Sequence, residues 1–380
     1  MTVTKVRLKP SRRTSLLASA AAKAAAPKPG LRGGANTEVQ ARLAGYCMPA
    51  EWAPHRATWI AWPHQLEDWP GKFAPIPWVY GEMVRILSRH ERVCILVQDL
   101  ARETRARSVL KKVGVEFRHV DFFRIPTDRA WTRDSGPIFV KNRSGKKIAT
   151  DWKFNGWAKY PNHTRDDRVA HRIAKAIGAP EDRVTIDGRE MVMEGGAIEV
   201  DGQGTLMATE ECLLSDVQAR NPGLGREGIA RVLADVLGIR RVVWLGHGIA
   251  GDDTHGHIDD LARFVSPGLV LLCQEDDPRD ANYAPLKDNL ERMTAEKLDV
   301  IPLPMPAPIV FNGLRVPASY ANFYIANGTV LVPTFNDPKD RVALGIIGDC
   351  FPDREVVGIH CVDLVWGLGT LHCATLQEPV

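Results

Sequence analysis

An α/β fold is predicted by two features of the chain. Strand-like apolar runs alternate with amphipathic helical segments from Gly45 onward. Two strand pairs are also joined by short turn signals, Val200-Asp201-Gly202-Gln203-Gly204-Thr205 and Ala326-Asn327-Gly328-Thr329. The strands expected in chain order are 57–62, 93–97, 137–140, 147–154, 197–200, 206–209, 242–245, 262–264, 269–273, 324–326 and 329–333. The expected helices are 80–88, 102–112, 167–176, 226–237, 286–297 and 341–348. Hairpins among helices argue against a purely parallel doubly wound sheet. Their recurrence every ~60 to 70 residues points to a repeated ββαβ module.

Composition narrows the function classes. With 380 residues, 44% of them hydrophobic and 25% charged, the chain can bury one large core or two modest ones. Forty-nine Lys and Arg against 46 Asp and Glu leave +3, which carries no nucleic-acid footprint. The longest apolar runs fall well short of the ~20 residues needed to cross a bilayer. Seven cysteines at irregular spacing show no close zinc-type pair, and their odd number suggests reduced thiols and a cytoplasmic home. Residues 1–40 read as a disordered tail and 41–380 as a single catalytic domain. Ser11-Arg12-Arg13-Thr14-Ser15-Leu16-Leu17 has a twin-arginine look that would mean export, but Lys23 and Pro27 interrupt the Ala-rich stretch behind it.

Chemistry concentrates in four segments. Trp131-Thr132-Arg133-Asp134-Ser135-Gly136-Pro137 places a charged pair before a strand. Met191-Val192-Met193-Glu194-Gly195-Gly196 ends an apolar run on an acid, followed by glycines that let backbone or ligand approach closely. In Asp252-Asp253-Thr254-His255-Gly256-His257-Ile258-Asp259-Asp260, His257 and Asp259 share a face if the segment is extended. Gly367-Leu368-Gly369-Thr370-Leu371-His372-Cys373 sets a thiol beside flexible backbone, the setting of a candidate nucleophile. Taken singly, Arg133-Asp134 reads as a surface ion pair, and the Glu-Gly-Gly run as a turn.

Together these segments resemble the agmatine deiminases and related bacterial peptidylarginine deiminases of the guanidino-group-modifying superfamily. The likeness extends from Met48 to Pro379 and includes Met48-Pro49-Ala50-Glu51-Trp52, Phe154-Asn155-Gly156-Trp157, Thr209-Glu210-Glu211-Cys212-Leu213-Leu214, Ala318-Ser319-Tyr320 and Leu371-His372-Cys373. It implies a five-bladed α/β propeller of pseudo-repeated ββαβ units. It also implies Cys373 as nucleophile, His257 as acid/base, and Asp134, Glu194 and Asp259 as acidic ligands of the substrate. The implied reaction takes agmatine to N-carbamoylputrescine and ammonia, a step of putrescine and polyamine synthesis, through a Cys373 thiouronium. No cofactor or metal is implied. The expected partner is a small guanidino molecule, with no nucleic acid and no membrane, and a homodimer is one assembly the resemblance allows.

The physical logic is independent of the likeness. A guanidinium is planar, cationic and delocalised, so carboxylates must hold its N–H edges before its carbon can be attacked. Trp131, Trp62 and Trp157, with Gly369, are candidate substrate contacts. Trp59 and Trp69 are further candidate walls, and each of the five tryptophans reads more readily as core than as pocket. Asp166 and Asp167 can attract a distal amine or simply charge the start of a helix.

Leu368, Thr370 and Leu371 stand where relatives usually carry Gly, Asn and Ile, which shifts doubt onto the substrate more than the reaction. Other readings stay open: a different guanidino substrate, an amidinotransferase, a non-catalytic guanidino-binding protein, or a zinc hydrolase using His255, His257 and Asp259.

Overall fold

The structure, a computed structural model, describes residues 43–380. The expected tail and the twin-arginine-like stretch lie outside the described residues.

Five sheets repeat one pattern, a strand paired antiparallel to its successor, which pairs parallel to a third strand beyond a helix. The clearest is Ala262–Ser266, Leu269–Gln274, helix Tyr283–Ala295 and Asp299–Pro304. The same order recurs in Glu199–Val200, Thr205–Thr209, helix Arg226–Leu237 and Arg241–Leu245. It recurs again in Tyr324–Ala326, Thr329–Thr334, helix Lys339–Cys350 and Glu355–His360. Ile138–Asn142, Lys147–Asp151, helix Val169–Ile177 and Glu181–Arg183 form the fourth, with Tyr46–Cys47 added at the edge.

The fifth unit joins the two ends of the described chain. Leu376–Pro379 runs antiparallel to His55–Ala61, which lies parallel to Arg92–Val97 and, beyond that, to Val120–Arg124. Helices Ile76–Leu87 and Leu100–Lys112 make its crossovers. The result is a mixed α/β fold of separate small sheets, none of which closes on itself among the described residues.

Local chemistry explains the elements. Asp99 accepts from Arg102 N at 2.7 Å and caps helix Leu100–Lys112. Helix Arg226–Leu237 stops at Gly238, which takes the left-handed conformation at φ 69°. That helix buries Ile229, Val232, Leu233, Val236 and Leu237 on one stripe. Leu269–Gln274 is central in its sheet and almost wholly buried, hence a continuous apolar run.

The sequence pattern captures the hairpin strands, all six expected helices and the post-helix strands Arg92–Val97 and Arg241–Leu245, but misses Val120–Arg124, Glu181–Arg183, Asp299–Pro304 and Glu355–His360. Asp299–Pro304 contains Pro302 and Pro304, which an edge strand tolerates and a propensity reading rejects. Glu355–His360 buries only Ile359, so its apolar signal is thin.

Candidate active site

Each unit sends polar residues inward from the segment just before its first strand. Asp134 sits on the single helical turn Thr132–Ser135 ahead of Ile138–Asn142. Glu194 precedes the turn Gly195–Ala197 and strand Glu199–Val200. His257 and Asp259 precede Ala262–Ser266, Asn322 precedes Tyr324–Ala326, and Cys373 precedes Leu376–Pro379. Residues distant in sequence therefore share one place in the repeat, and the repeat brings them together.

His257 lies at the centre, 1% exposed. Its Nδ1 is 3.9 Å from both Asp134 Oδ1 and Asp259 Oδ1, and its Nε2 is 3.8 Å from Glu194 Oε2. Cys373 Sγ is 3.6 Å from Asp259 Oδ2 and 3.1 Å from Asn322 Nδ2. Gly196 shows why the two glycines are there: its N–H donates to Asp134 Oδ1 at 3.0 Å. A Cβ on it would come within 2.6 Å of His257 Nδ1 and 2.8 Å of Asp134 Oδ1. Asp134 Oδ2 accepts from Trp157 Nε1 at 3.0 Å. His257 Nε2 and Asp259 Oδ1 are buried without a hydrogen-bond partner.

Charges here are far from their aqueous behaviour. Burial pushes Asp134 up to about 6, helped by Asp259 and Glu194 and opposed by His257. Glu194 moves the other way, to about 2, because Arg220 and His257 outweigh its burial. Arg220 Nε donates to both Glu194 oxygens, at 3.1 and 3.3 Å, with both side chains wholly buried. Burial works against the His257 imidazolium, but Asp134, Cys212 and Glu194 together hold its pKa well above the usual range. Burial, then Asp259, Asp260 and Asp134, raise the Cys373 thiol well above its ordinary value. Those carboxylates oppose ionisation of the sulfur, and an arriving cationic substrate offsets them.

A cavity of ≈ 560 Å³ leads to this cluster, a size suited to a small molecule. Asp134 and Cys373 line it, as do Trp131, Trp157, Leu368 and Gly369. Glu194, His257 and Asp259 stand behind that wall rather than on it. The cavity's more exposed lining, the mouth, carries Glu67, Arg129 and Asp253, with Asp68 buried against Arg129.

Several expectations need correction. Trp62 does not line the cavity; it packs in the core, 6.3 Å edge-on from Tyr80. Trp59 and Trp69 are likewise core, their indole N–H groups donating to Glu378 and to Leu364 O. Asp166 accepts from the N–H groups of Asp128 and Arg129, and Asp167 from Phe154 N, so neither lines the cavity, although Asp166 holds the backbone of Arg129, which does.

The 252–257 segment is no strand. Asp252 accepts from the N–H groups of Thr254, Gly256 and His257 and folds it into a turn. His257 and Asp259 meet through this turn and the following 3₁₀ turn Ile258–Asp260. His255 points away, to Ser215 Oγ at 3.2 Å and toward Glu211, so His255, His257 and Asp259 do not converge as metal ligands.

Sequence reasoning passed over Glu51, Arg220, Asn322 and His372. Asn322 Oδ1 accepts from Thr370 Oγ1 at 2.7 Å and His372 N at 3.0 Å, which turns its Nδ2 toward Cys373 Sγ. His372 Nδ1 lies 2.7 Å from Asp259 Oδ2 and its Nε2 2.7 Å from Glu51 Oε2. Glu51, Asn322 and His372 lay inside or beside matched motifs. Their only other signal was a polar residue beside apolar neighbours. Leu368, in the place of a usual glycine, is held at φ 66°, a conformation glycine adopts without strain.

Fold and site together define an α/β protein of the agmatine-deiminase type. A structure of the Enterococcus faecalis agmatine deiminase is 32% identical with a TM-score of 0.81, over 92% of this chain and 99% of that one. The substrate-bound C. jejuni agmatine deiminase is 26% identical with a TM-score of 0.80, over 88% and 96%. Among sequences, the agmatine deiminase of Stutzerimonas stutzeri is 35% identical over 89% of this chain and 96% of its own length. That of Ectopseudomonas mendocina is 36% identical with the same coverage. The model of the Porphyromonas-type peptidyl-arginine deiminases matches residues 47–379, and the chain belongs to that family.

Proposed function

We propose that this chain hydrolyses the guanidino group of agmatine, giving N-carbamoylputrescine and ammonia, in a reducing cytoplasmic compartment. The carrying observation is the thiol of Cys373 at the closed end of a small-molecule cavity, 3.6 Å from Asp259 and sharing the wall with Asp134. The relatives' activity agrees with this chemistry. We also read the five repeated units as the blades of a five-bladed propeller. The support is that the C-terminal strand completes the N-terminal sheet and all five units feed one site.

In this reading the guanidinium binds between Asp134 and Asp259, with Glu194 and His257 behind them. The cation lowers the cost of ionising Cys373, whose proton passes to solvent through the cavity and whose sulfur then bonds to the guanidinium carbon. His257 protonates the departing nitrogen, the C–N bond breaks, and ammonia leaves a Cys373 thiouronium. Water deprotonated by His257 adds to the same carbon, and breaking the C–S bond releases the ureido product and the thiolate.

Arg129 at the mouth favours a second reading, a substrate bearing a carboxylate or peptide beyond its guanidino chain. Rates across agmatine, free arginine, small guanidino acids and arginyl peptides decide between them. Agmatine is expected to give the highest kcat/KM, and an arginyl peptide turned over faster would overturn that choice. Amidino transfer to an added amine in place of hydrolysis would identify an amidinotransferase.

A further inference from the structure

We infer that His372, clamped by Glu51, is a positioning residue for deimination that holds Asp259 in the orientation facing Cys373. The inference rests on the deiminase reading and goes beyond it by naming what sets the substrate carboxylate.

The geometry is specific. The imidazole is 1% exposed and lies between two carboxylates, with Asp259 Oδ2 and Glu51 Oε2 each 2.7 Å from a ring nitrogen. Rotating the ring forfeits both contacts, so its plane is fixed. The Asp259 oxygen it touches is the one 3.6 Å from Cys373 Sγ, while Asp259 Oδ1 is left unpartnered.

Glu51 cannot drift either: Arg263 contacts its Oε1 at 2.7 Å, Ile325 N at 2.9 Å, and Arg133 its Oε2 at 3.0 Å. Those partners come from three different repeat units, and Arg263 also reaches Glu199 in another at 3.1 Å. The backbone of His372 is held as well, its N–H on Asn322 and its carbonyl accepting from Arg133 Nε at 3.3 Å. One residue therefore orients the carboxylate through its side chain and the nucleophile through the peptide bond to Cys373.

A bland role, tying the N-terminal loop to the C-terminal strand, would not need to touch the site electrostatically. The groups facing Asp259 are His372, His257, Arg263, Cys373, Asp134 and Asp260. Burial pushes the Asp259 carboxyl up, and the hydrogen bond and charge of His372, with His257 and Arg263, bring it below its ordinary value. Removing His372 therefore raises the pH at which Asp259 ionises.

The test uses His372→Phe, His372→Asn and Glu51→Gln in the full chain. His372→Phe is expected to lower kcat/KM on agmatine ~100-fold, as misplacement near reacting atoms does. It should also steepen the acid limb of the pH profile or carry it upward, because Asp259, ionised well below the limb in the wild type, then titrates alongside Asp134. His372→Asn, which keeps a donor near the position of Nδ1, should recover part of both effects, and Glu51→Gln should shift the limb in the same direction. Should the Phe variant not fold, the other two carry the test.

The pH dependence of Cys373 alkylation, read by peptide mass, needs no turnover and should move in the same variants. Unchanged pH profiles and alkylation in folded variants, with wild type active and Cys373→Ala dead, would overturn this inference alone. A wild type inactive on every guanidino compound would instead count against the deiminase reading.

Discussion

The floor of the cavity and its mouth are built in opposite ways. At the floor, just behind the cavity wall, Glu194, His257, Asp259 and Arg220 are almost fully removed from solvent, and Arg220 and His372 hold the carboxylates of Glu194 and Asp259. At the mouth, Lys159 meets Asp253 at 3.3 Å while 40% exposed, and such a pair contributes little. Leu368 sits there in a left-handed conformation that stores strain. The floor is rigid because mispairing any buried charge is costly. The mouth is under weaker constraint, so it is where one fold can change substrate while keeping its reaction.

The sharpest way to break that contrast is at the nucleophile. Cys373→Ala is expected to lower ammonia release by ~10⁴-fold or more while the circular dichroism spectrum stays unchanged, since nothing else among the described residues of the cavity wall offers a comparable nucleophile. His257→Ala comes next, with a loss of ~10²- to 10⁴-fold for a lost acid/base group. His255→Ala, facing Ser215 and Glu211, should stay within a few-fold of wild type on the scale of a group outside the site. Equal losses in both would restore the paired-ligand reading.

Arg220 tests the floor through stability. Arg220→Leu leaves Glu194 buried beside His257 without the guanidinium whose Nε serves both its oxygens, and should cost about 3 to 5 kcal/mol in urea unfolding at neutral pH. The sign on the acid side is set by Glu194, which is lowered from 4.5 to about 2. Its contribution is present above pH 4.5 and is lost as pH falls toward about 2. In Arg220→Leu the Glu194 carboxyl moves back up, so that loss should be smaller and should end at higher pH. Asp134, raised to about 6, predicts a kcat/KM that climbs through about pH 6 as its carboxyl ionises. A flat profile across that range would remove Asp134 from the binding set.

Much of the floor was legible because its motifs break local rules. An acid ends an apolar run at Glu194, and of the two glycines after it a Cβ on Gly195 would strike Arg133 O and one on Gly196 would strike His257. Arg220 was not legible, because a lone arginine before Asn221-Pro222 reads as surface and only the fold shows it buried against Glu194. The tryptophans were ambiguous for the opposite reason: Trp62 and Trp131 each follow an alanine and are both nearly buried, and only packing sends one to the core and the other to the cavity. Strands after helices were missed where edge positions let them carry prolines or polar residues.

The smallest effect is expected at the mouth. Arg129→Ala frees Asp68 from its ion pair and should change KM for agmatine by less than ~10-fold, the scale of a charge at the rim of a binding site. It should alter the ranking of amine-bearing against carboxylate-bearing substrates more than it alters kcat. A fall in kcat as large as that of His257→Ala would mean that mouth and floor are one coupled unit.

The central claim, covalent catalysis by Cys373, is tested most directly by quenching wild type within its first turnovers on agmatine and weighing the intact protein. The account predicts an added mass equal to agmatine less ammonia, located on the peptide carrying Cys373 and absent in Cys373→Ala. Steady ammonia release with no adduct on that peptide, together with an active Cys373→Ala, would contradict it.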